Sequence, residues 1–160
     1  MSGVKAAVLA IALSLAPLVA LADDLTVVGP TGKTVTLTPA DLANLPRASA
    51  SLHEGDKTIA YEGVVLSAIL REGGTPVGPM AHGKPMKDFV VVTSKDGYGA
   101  TLSLAETDPE FRTGQVILAD TMAGAPLDAR QGPYRLIVGD DLKPWRAVRM
   151  VQRIEVKSAP

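Results

Sequence analysis

The side chains of this 160-residue chain that could do chemistry are few. His53 sits beside Glu54, where an imidazole could donate to a ligand or bind a metal weakly. The ordinary alternative is an exposed histidine next to a turn. Only His82 joins it, too few imidazoles for a histidine cage. Asp96 and Tyr98 could form an acid pair. A turn aspartate followed by a tyrosine with a core ring and a hydrogen-bonded hydroxyl is the simpler reading. Toward the C-terminus Arg130, Arg135, Lys143, Arg146, Arg149 and Arg153 face only Asp128, Asp140, Asp141 and Glu155. Such a basic segment could hold a small anion, or it could be a salt-bridged surface. Trp145, the sole tryptophan, lies between Pro144 and Arg146. It stacks on a ligand as a lid or plugs a core edge, and we read it first as a plug.

What is missing narrows the chemistry further. There is no cysteine, which removes thiol redox, thiolate metal sites, iron–sulfur clusters and thioether haem. No G-x-S-x-G, phosphate loop or supported Ser-His-Asp order occurs. The net charge of −1 lacks the basic surplus a nucleic-acid binder needs. The residues alone therefore nominate no catalytic group and no metal ligand set.

These residues need a scaffold, and the chain supplies one in short pieces. Leu25 to Val28 and Thr34 to Leu37 flank Gly29-Pro30-Thr31-Gly32 and predict a hairpin. Thr38-Pro39-Ala40-Asp41 is a helix start, with Thr as cap and Pro in the first turn. Ala48 to His53 alternates apolar and polar, which is strand behaviour. Thr58 to Tyr61 follows as a strand. Gly63 should precede an amphipathic helix, Val64 to Glu72, with Val65, Leu66, Ile69 and Leu70 inward and Gly73-Gly74 at its end. Thr75 to Lys87 reads as a loop. Phe89 to Val92 reads as a central strand, Gly99 to Leu104 as its return, and Glu106 to Phe111 as a helical turn. Gln115 to Ala119, Tyr134 to Val138 and Val151 to Val156 complete the strands. Irregular interleaving of this kind predicts α+β with mixed sheets rather than a doubly wound sheet.

The N-terminus is of another character. Lys5 precedes an apolar run, Ala6 to Leu15, and Pro17 and Ala20-Leu21-Ala22 follow. This is the order of a secretory signal, predicting cleavage after Ala22. Residues 1–22 are then a signal peptide and residues 23–160 a single domain, periplasmic or secreted, with no membrane insertion after cleavage.

Five segments in order carry a family resemblance. Tyr61-Glu62-Gly63-Val64-Val65-Leu66 resembles a "W/Y-x-G-V-P-L" motif. Val91 to Tyr98 is similar to an apolar strand ending in "D-G-Y". Leu118 to Leu127 resembles "L-A-x-x-M-N-G-x-P-L", with Ala123 in place of Asn. Gly132-Pro133-Tyr134-Arg135-Leu136 resembles "G-P-L-R-L". Val148-Arg149-Met150 through Ile154-Glu155-Val156 is similar to "V-K-W" followed by "I-x-V". Together, from about Leu37 to Val156, they resemble the molybdopterin-binding domain of the sulfite oxidase family. That resemblance implies the sulfite oxidase-type fold of mixed sheets with short helices. It places Arg149 where catalytic members keep a cofactor-contacting lysine, and Met150 where they keep a tryptophan. It also implies a cysteine ligand to molybdenum, in a loop that here reads Ser51 to Thr58 and has no cysteine.

No bound cofactor is therefore expected, molybdopterin being the one the resemblance allows. The expected role is a non-catalytic binding module for a small anionic or pterin-like ligand, or for a periplasmic protein partner. Arg149, Arg135, His53 and Trp145 are its candidate contacts. The alternatives are a molybdopterin oxidoreductase with non-cysteine ligation, and an interaction protein whose groove is plugged by its own side chains.

Overall fold

The structure, a computed structural model, describes residues 23–160. The expected signal peptide lies outside the described residues. Strands β1 (Leu25–Val28) and β2 (Thr34–Leu37) form the expected hairpin. Helix α1 (Pro39–Ala43) begins where the sequence places it. The Thr38 side chain accepts from the Asp41 N–H, and the Asp41 carboxylate accepts from the Thr38 N–H. Strands β3 (Arg47–Glu54) and β4 (Lys57–Val65) meet in full register from Arg47↔Val64 to Glu54↔Lys57, closed by a turn at Gly55-Asp56.

The next element departs from expectation. Helix α2 runs Leu66–Glu72, two residues later than the apolar periodicity predicts. Val64 and Val65 stay in β4 and pair with Leu118 and Ile117. Gly63 is the reason: a Cβ there would lie 2.1 Å from the Leu118 carbonyl oxygen. Two backbones meet at that glycine, so it marks a close crossing within a sheet rather than a helix start. Two short 3₁₀ turns, Gly78–Met80 and Lys84–Lys87, interrupt the predicted loop.

Strands β5 (Asp88–Ser94), β6 (Gly99–Ser103), β7 (Val116–Met122), β8 (Ala125–Pro126), β9 (Arg135–Val138) and β10 (Val151–Ser158) complete the chain. Only a 3₁₀ turn, Ala105–Thr107, forms where a longer helical turn was expected. One sheet has the order β2-β1-β10-β5-β6, with β1 and β10 parallel and its other pairs antiparallel. The second is β3-β4-β7-β8, with β9 also paired to β7. Mixed sheets with two short helices are the α+β class read from the sequence.

Burial explains the strand patterns. One large core joins Val27, Val90, Val92 and Ile154 of the first sheet to Leu66, Ile69 and Leu70 of α2 and Leu118 and Leu136 of the second sheet. A smaller core gathers Leu52, Tyr61, Ile117 and Ile137. Neighbouring residues of β7 and β9 belong to different cores, because a strand turns successive side chains to opposite faces. The second sheet is thus covered on both faces over these strands, and β3 lies against β9 as the sheet curls. Phe89 to Val92 lies in β5, inside the first sheet between β10 and β6 as a central strand should, and its burial alternates: Val90 and Val92 are buried, Phe89 and Val91 half-buried.

Candidate functional site

β9 opens on two residues that face opposite ways. Tyr134, just before the strand, belongs to the large core. Arg135 points toward the smaller one, over the Tyr61 ring with its guanidinium carbon 5.2 Å from the ring centroid. Arg135 is only 2% exposed. Its Nη2 donates to Glu54 Oε1 at 2.7 Å, and its Nη1 donates to the Tyr61 hydroxyl and to Gln131 Oε1, each at 2.5 Å. Burial raises the Tyr61 phenol above its ordinary range, partly offset by the Arg135 charge, so the phenol stays neutral. The Arg135 Nε is buried and has no hydrogen-bond partner among the described residues.

Above this floor lies a cavity of about 350 Å³, lined by Arg130, Arg135 and Arg149, by Trp145 and Met150, and by Asp96 among others. Sequence distance hides the convergence: the walls come from the β5–β6 turn, the segment before β9 and the segment before β10. Arg130 and Arg149 form no ion pair among the described residues. Arg146 and Arg153 of the same basic segment are occupied. Arg146 forms a two-pronged bond to Asp141, at 3.0 and 2.7 Å, and a third bond to Glu106. Arg153 pairs with Glu155.

Those bonds position Trp145. The 3₁₀ turn Pro144–Arg146 is pinned by Arg146 at one end, and the Tyr98 hydroxyl donates to the Trp145 carbonyl at 2.5 Å. Trp145 is 73% exposed at the cavity rim, so it is not the core plug expected from the sequence. Pro144 and the Arg146 anchors leave the ring no core face to fill. Tyr98 is likewise half exposed rather than core, because it lies in the turn before β6 and not in the strand. Asp96 accepts from the Ser94 hydroxyl and the Tyr98 N–H, which hold its carboxyl below the usual range and keep it ionised in the cavity wall. Met150 has φ of 49°, a left-handed conformation that costs a non-glycine residue energy. It is clamped there by the Met150 N–H on the Gln131 carbonyl and the Lys95 N–H on the Met150 carbonyl. The clamp fixes the backbone next to Arg149.

Three of the four residues nominated from sequence, Arg135, Arg149 and Trp145, meet at this cavity. His53 does not. Strand alternation turns Glu54 inward to Arg135 and His53 outward, where its Nδ1 lies 3.1 Å from the Thr58 hydroxyl of the paired strand. The sequence reading did not foresee the roles of Glu54, Tyr61 and Gln131. Glu54 and Arg135 lie 81 residues apart, and no local pattern links them.

The residues present fit only part of a molybdenum cofactor. Two uncommitted guanidiniums and a flat exposed ring suit a phosphate and a planar heterocycle. The metal half lacks its thiolate. The interval that would carry it is a two-residue turn, and the adjoining Glu54 is engaged by Arg135. Among the described residues no three His, Asp or Glu side chains group as a metal site.

The sequence matches the family described as oxidoreductase molybdopterin binding domain over residues 17–160. No curated protein matches it. Among solved structures it is similar to the sulfane dehydrogenase SoxCD from Paracoccus pantotrophus, with a TM-score of 0.66 at 20% identity. The alignment covers 85% of this chain and 38% of that one, so this chain spans well under half the length of that protein.

Proposed function

Because the chain belongs to the oxidoreductase molybdopterin-binding domain family, we propose that it keeps the family's groove as a binding site without its metal chemistry. The ligand is a small anion, or a pterin-like molecule carrying a phosphate. One observation carries this reading: Arg130 and Arg149, in no ion pair among the described residues, converge on a cavity whose floor is already closed by the Glu54–Arg135 pair. The cations draw in and hold the anionic group. Trp145 offers its face to a planar ring, and Asp96, ionised, accepts N–H donors from a heterocycle. Arg135 is committed to Glu54, Tyr61 and Gln131, and so holds the floor more than it binds.

The reading is tested by thermal shift with a panel of pterins, nucleotides and oxyanions. Members carrying phosphate should stabilise the protein, and members without it should not. Protein purified from a molybdenum-replete, cofactor-competent host should carry no molybdenum. Near-stoichiometric metal would replace this reading with that of an oxidoreductase ligated without cysteine.

Export is part of the proposal, on the strength of the Lys5 to Ala22 pattern alone. Mass spectrometry of fractionated cells should find a soluble species beginning at Asp23. An intact Met1 in the membrane fraction would replace the signal with an anchor. Within the described residues no helix is long and apolar enough to cross a membrane.

A further inference from the structure

A second cavity lies on the other side of the segment between β8 and β9. It encloses about 530 Å³, within the range of small-molecule sites of roughly 300–1,000 Å³. Helix α1 forms one wall with Leu42 and Ala43, and Leu127 and Pro133 form the facing one. The lining is chiefly apolar. Every ionisable side chain in it other than Tyr134 is a carboxylate: Asp23, Asp120 and Asp128.

Their partners stand outside the lining. Arg47 holds Asp120 and Lys95 holds Asp23. Asp128 has no cation among the described residues and accepts only the N–H groups of Arg130 and Gln131. The cavity thus keeps one uncompensated carboxylate at an apolar mouth.

Tyr134 supplies the second, independent observation. It is 5% exposed, it lines this cavity, and its hydroxyl has no hydrogen-bond partner among the described residues. A buried hydroxyl left unpaired is costly, so the site holds an unmet demand for a polar contact. Its phenol, pushed up to about 12 by burial with the charges of Asp120 and Asp24 adding, stays neutral and can accept from a cationic donor.

We propose that this acidic, apolar cavity is a ligand site separate from the basic groove. Its occupant is a small organic cation, with an apolar body of ring size and one ammonium head. The body packs between Leu42 and Leu127. The head meets Asp128, and a small shift of the Tyr134 hydroxyl completes its contacts.

Three probes with one apolar body and different heads test this: 2-phenylethylamine, 2-phenylethanol and 3-phenylpropionate, titrated calorimetrically into the purified protein at neutral pH. The amine should bind, the alcohol about tenfold more weakly, which is roughly 1.4 kcal/mol, and the carboxylate least. Ala43→Phe fills the cavity from an exposed helix position and should weaken amine binding at least about tenfold. Should that variant fold poorly, Ala129→Leu fills the opposite wall from an exposed loop. Tyr134→Phe should weaken the amine severalfold without lowering the melting temperature, since the hydroxyl it removes has no partner to lose. Equal binding of amine and alcohol, or amine binding that survives both filling variants, would overturn the proposal.

Discussion

Two cavities share one wall, the segment 127–135, and differ in almost everything else. The one faced by Arg135 is lined by three arginines against a single aspartate; the one faced by Tyr134 has carboxylates and no basic side chain in its lining. The residues that divide them, Tyr134 just before β9 and Arg135 at its start, are adjacent in sequence and point toward opposite faces. Each carries a buried polar atom without a partner among the described residues, Nε of Arg135 and the hydroxyl of Tyr134. Yet the surroundings differ in kind. Arg135 is bound through its other nitrogens into a network spanning three segments, while the Tyr134 side chain is held by packing. A buried group can thus be part of the frame or held in reserve for a ligand, and burial by itself does not say which.

The contrast breaks most sharply at Arg135. If the pair with Glu54 is frame, Arg135→Leu should cost on the order of 3 kcal/mol of unfolding free energy in chemical denaturation, since it strands a partly buried carboxylate. Adding Glu54→Leu should recover much of that loss, because the second change removes the stranded charge. A single variant losing less than about 1 kcal/mol would mean the network is ornamental and Arg135 is free to bind.

Arg149 is the counterpart, exposed and in no ion pair among the described residues. Arg149→Ala should weaken binding of a phosphate-bearing ligand by about 1.5–3 kcal/mol, as for a hydrogen bond to a charged group. It should change stability by no more than about 0.5 kcal/mol. Calorimetry and melting of one variant give both numbers. A strong loss of melting temperature with no ligand for the wild type would make the groove a structural feature and favour the plugged interaction protein.

How much of this was legible in the sequence follows the range of the interactions. The first hairpin, the Thr38 cap and the β3 alternation depend on neighbours within about four residues, and each stands where it was read. The start of α2 was misplaced because Gly63 answers to the Leu118 backbone, not to its own neighbours. Arg149, Arg135 and Trp145 were found through composition and resemblance. The exposure of Trp145 does not follow from its neighbours Pro144 and Arg146, since it is set by the distant anchors Glu106 and Tyr98. The acidic cavity had no signature at all: α1, β7 and the 127–134 segment form it only once the second sheet has curled.

Tyr134 gives a pH-dependent contrast of intermediate size. Its phenol is raised from an ordinary 10.0 to about 12 in the fold. Between those values the unfolded chain ionises while the folded one does not. The stability contributed is therefore full below pH 10 and is lost as pH rises through about 12. The expected loss is on the order of 2 kcal/mol, and Tyr134→Phe should remove this part of the alkaline slope. If wild type and variant show the same slope, Tyr134 is not the buried neutral group described.

The smallest effect concerns Asp120, the carboxylate that the acidic cavity shares with Arg47. The pair is two-pronged, at 2.8 and 2.7 Å, but more than a third exposed on the arginine side. Water screens it, so Arg47→Ala should cost no more than about 1 kcal/mol. The sign with pH is what identifies it. Burial pushes the Asp120 carboxyl up, but hydrogen bonds from Arg47 and Thr121 outweigh burial and hold it below its ordinary 3.8. A depressed carboxyl stabilises the fold above its unfolded value, and that contribution disappears as pH falls through the folded one. The deficit of Arg47→Ala should therefore be present at neutral pH and vanish in acid below the ordinary carboxylate range, as measured by denaturant midpoints across that window. The same variant leaves Asp120 uncompensated beside Asp128, so it should tighten 2-phenylethylamine binding at neutral pH. A deficit that persists in acid would assign the loss to packing of the arginine stem. Unchanged amine affinity would place Asp120 outside the electrostatic reach of the ligand and leave Asp128 as the carboxylate that meets the ammonium.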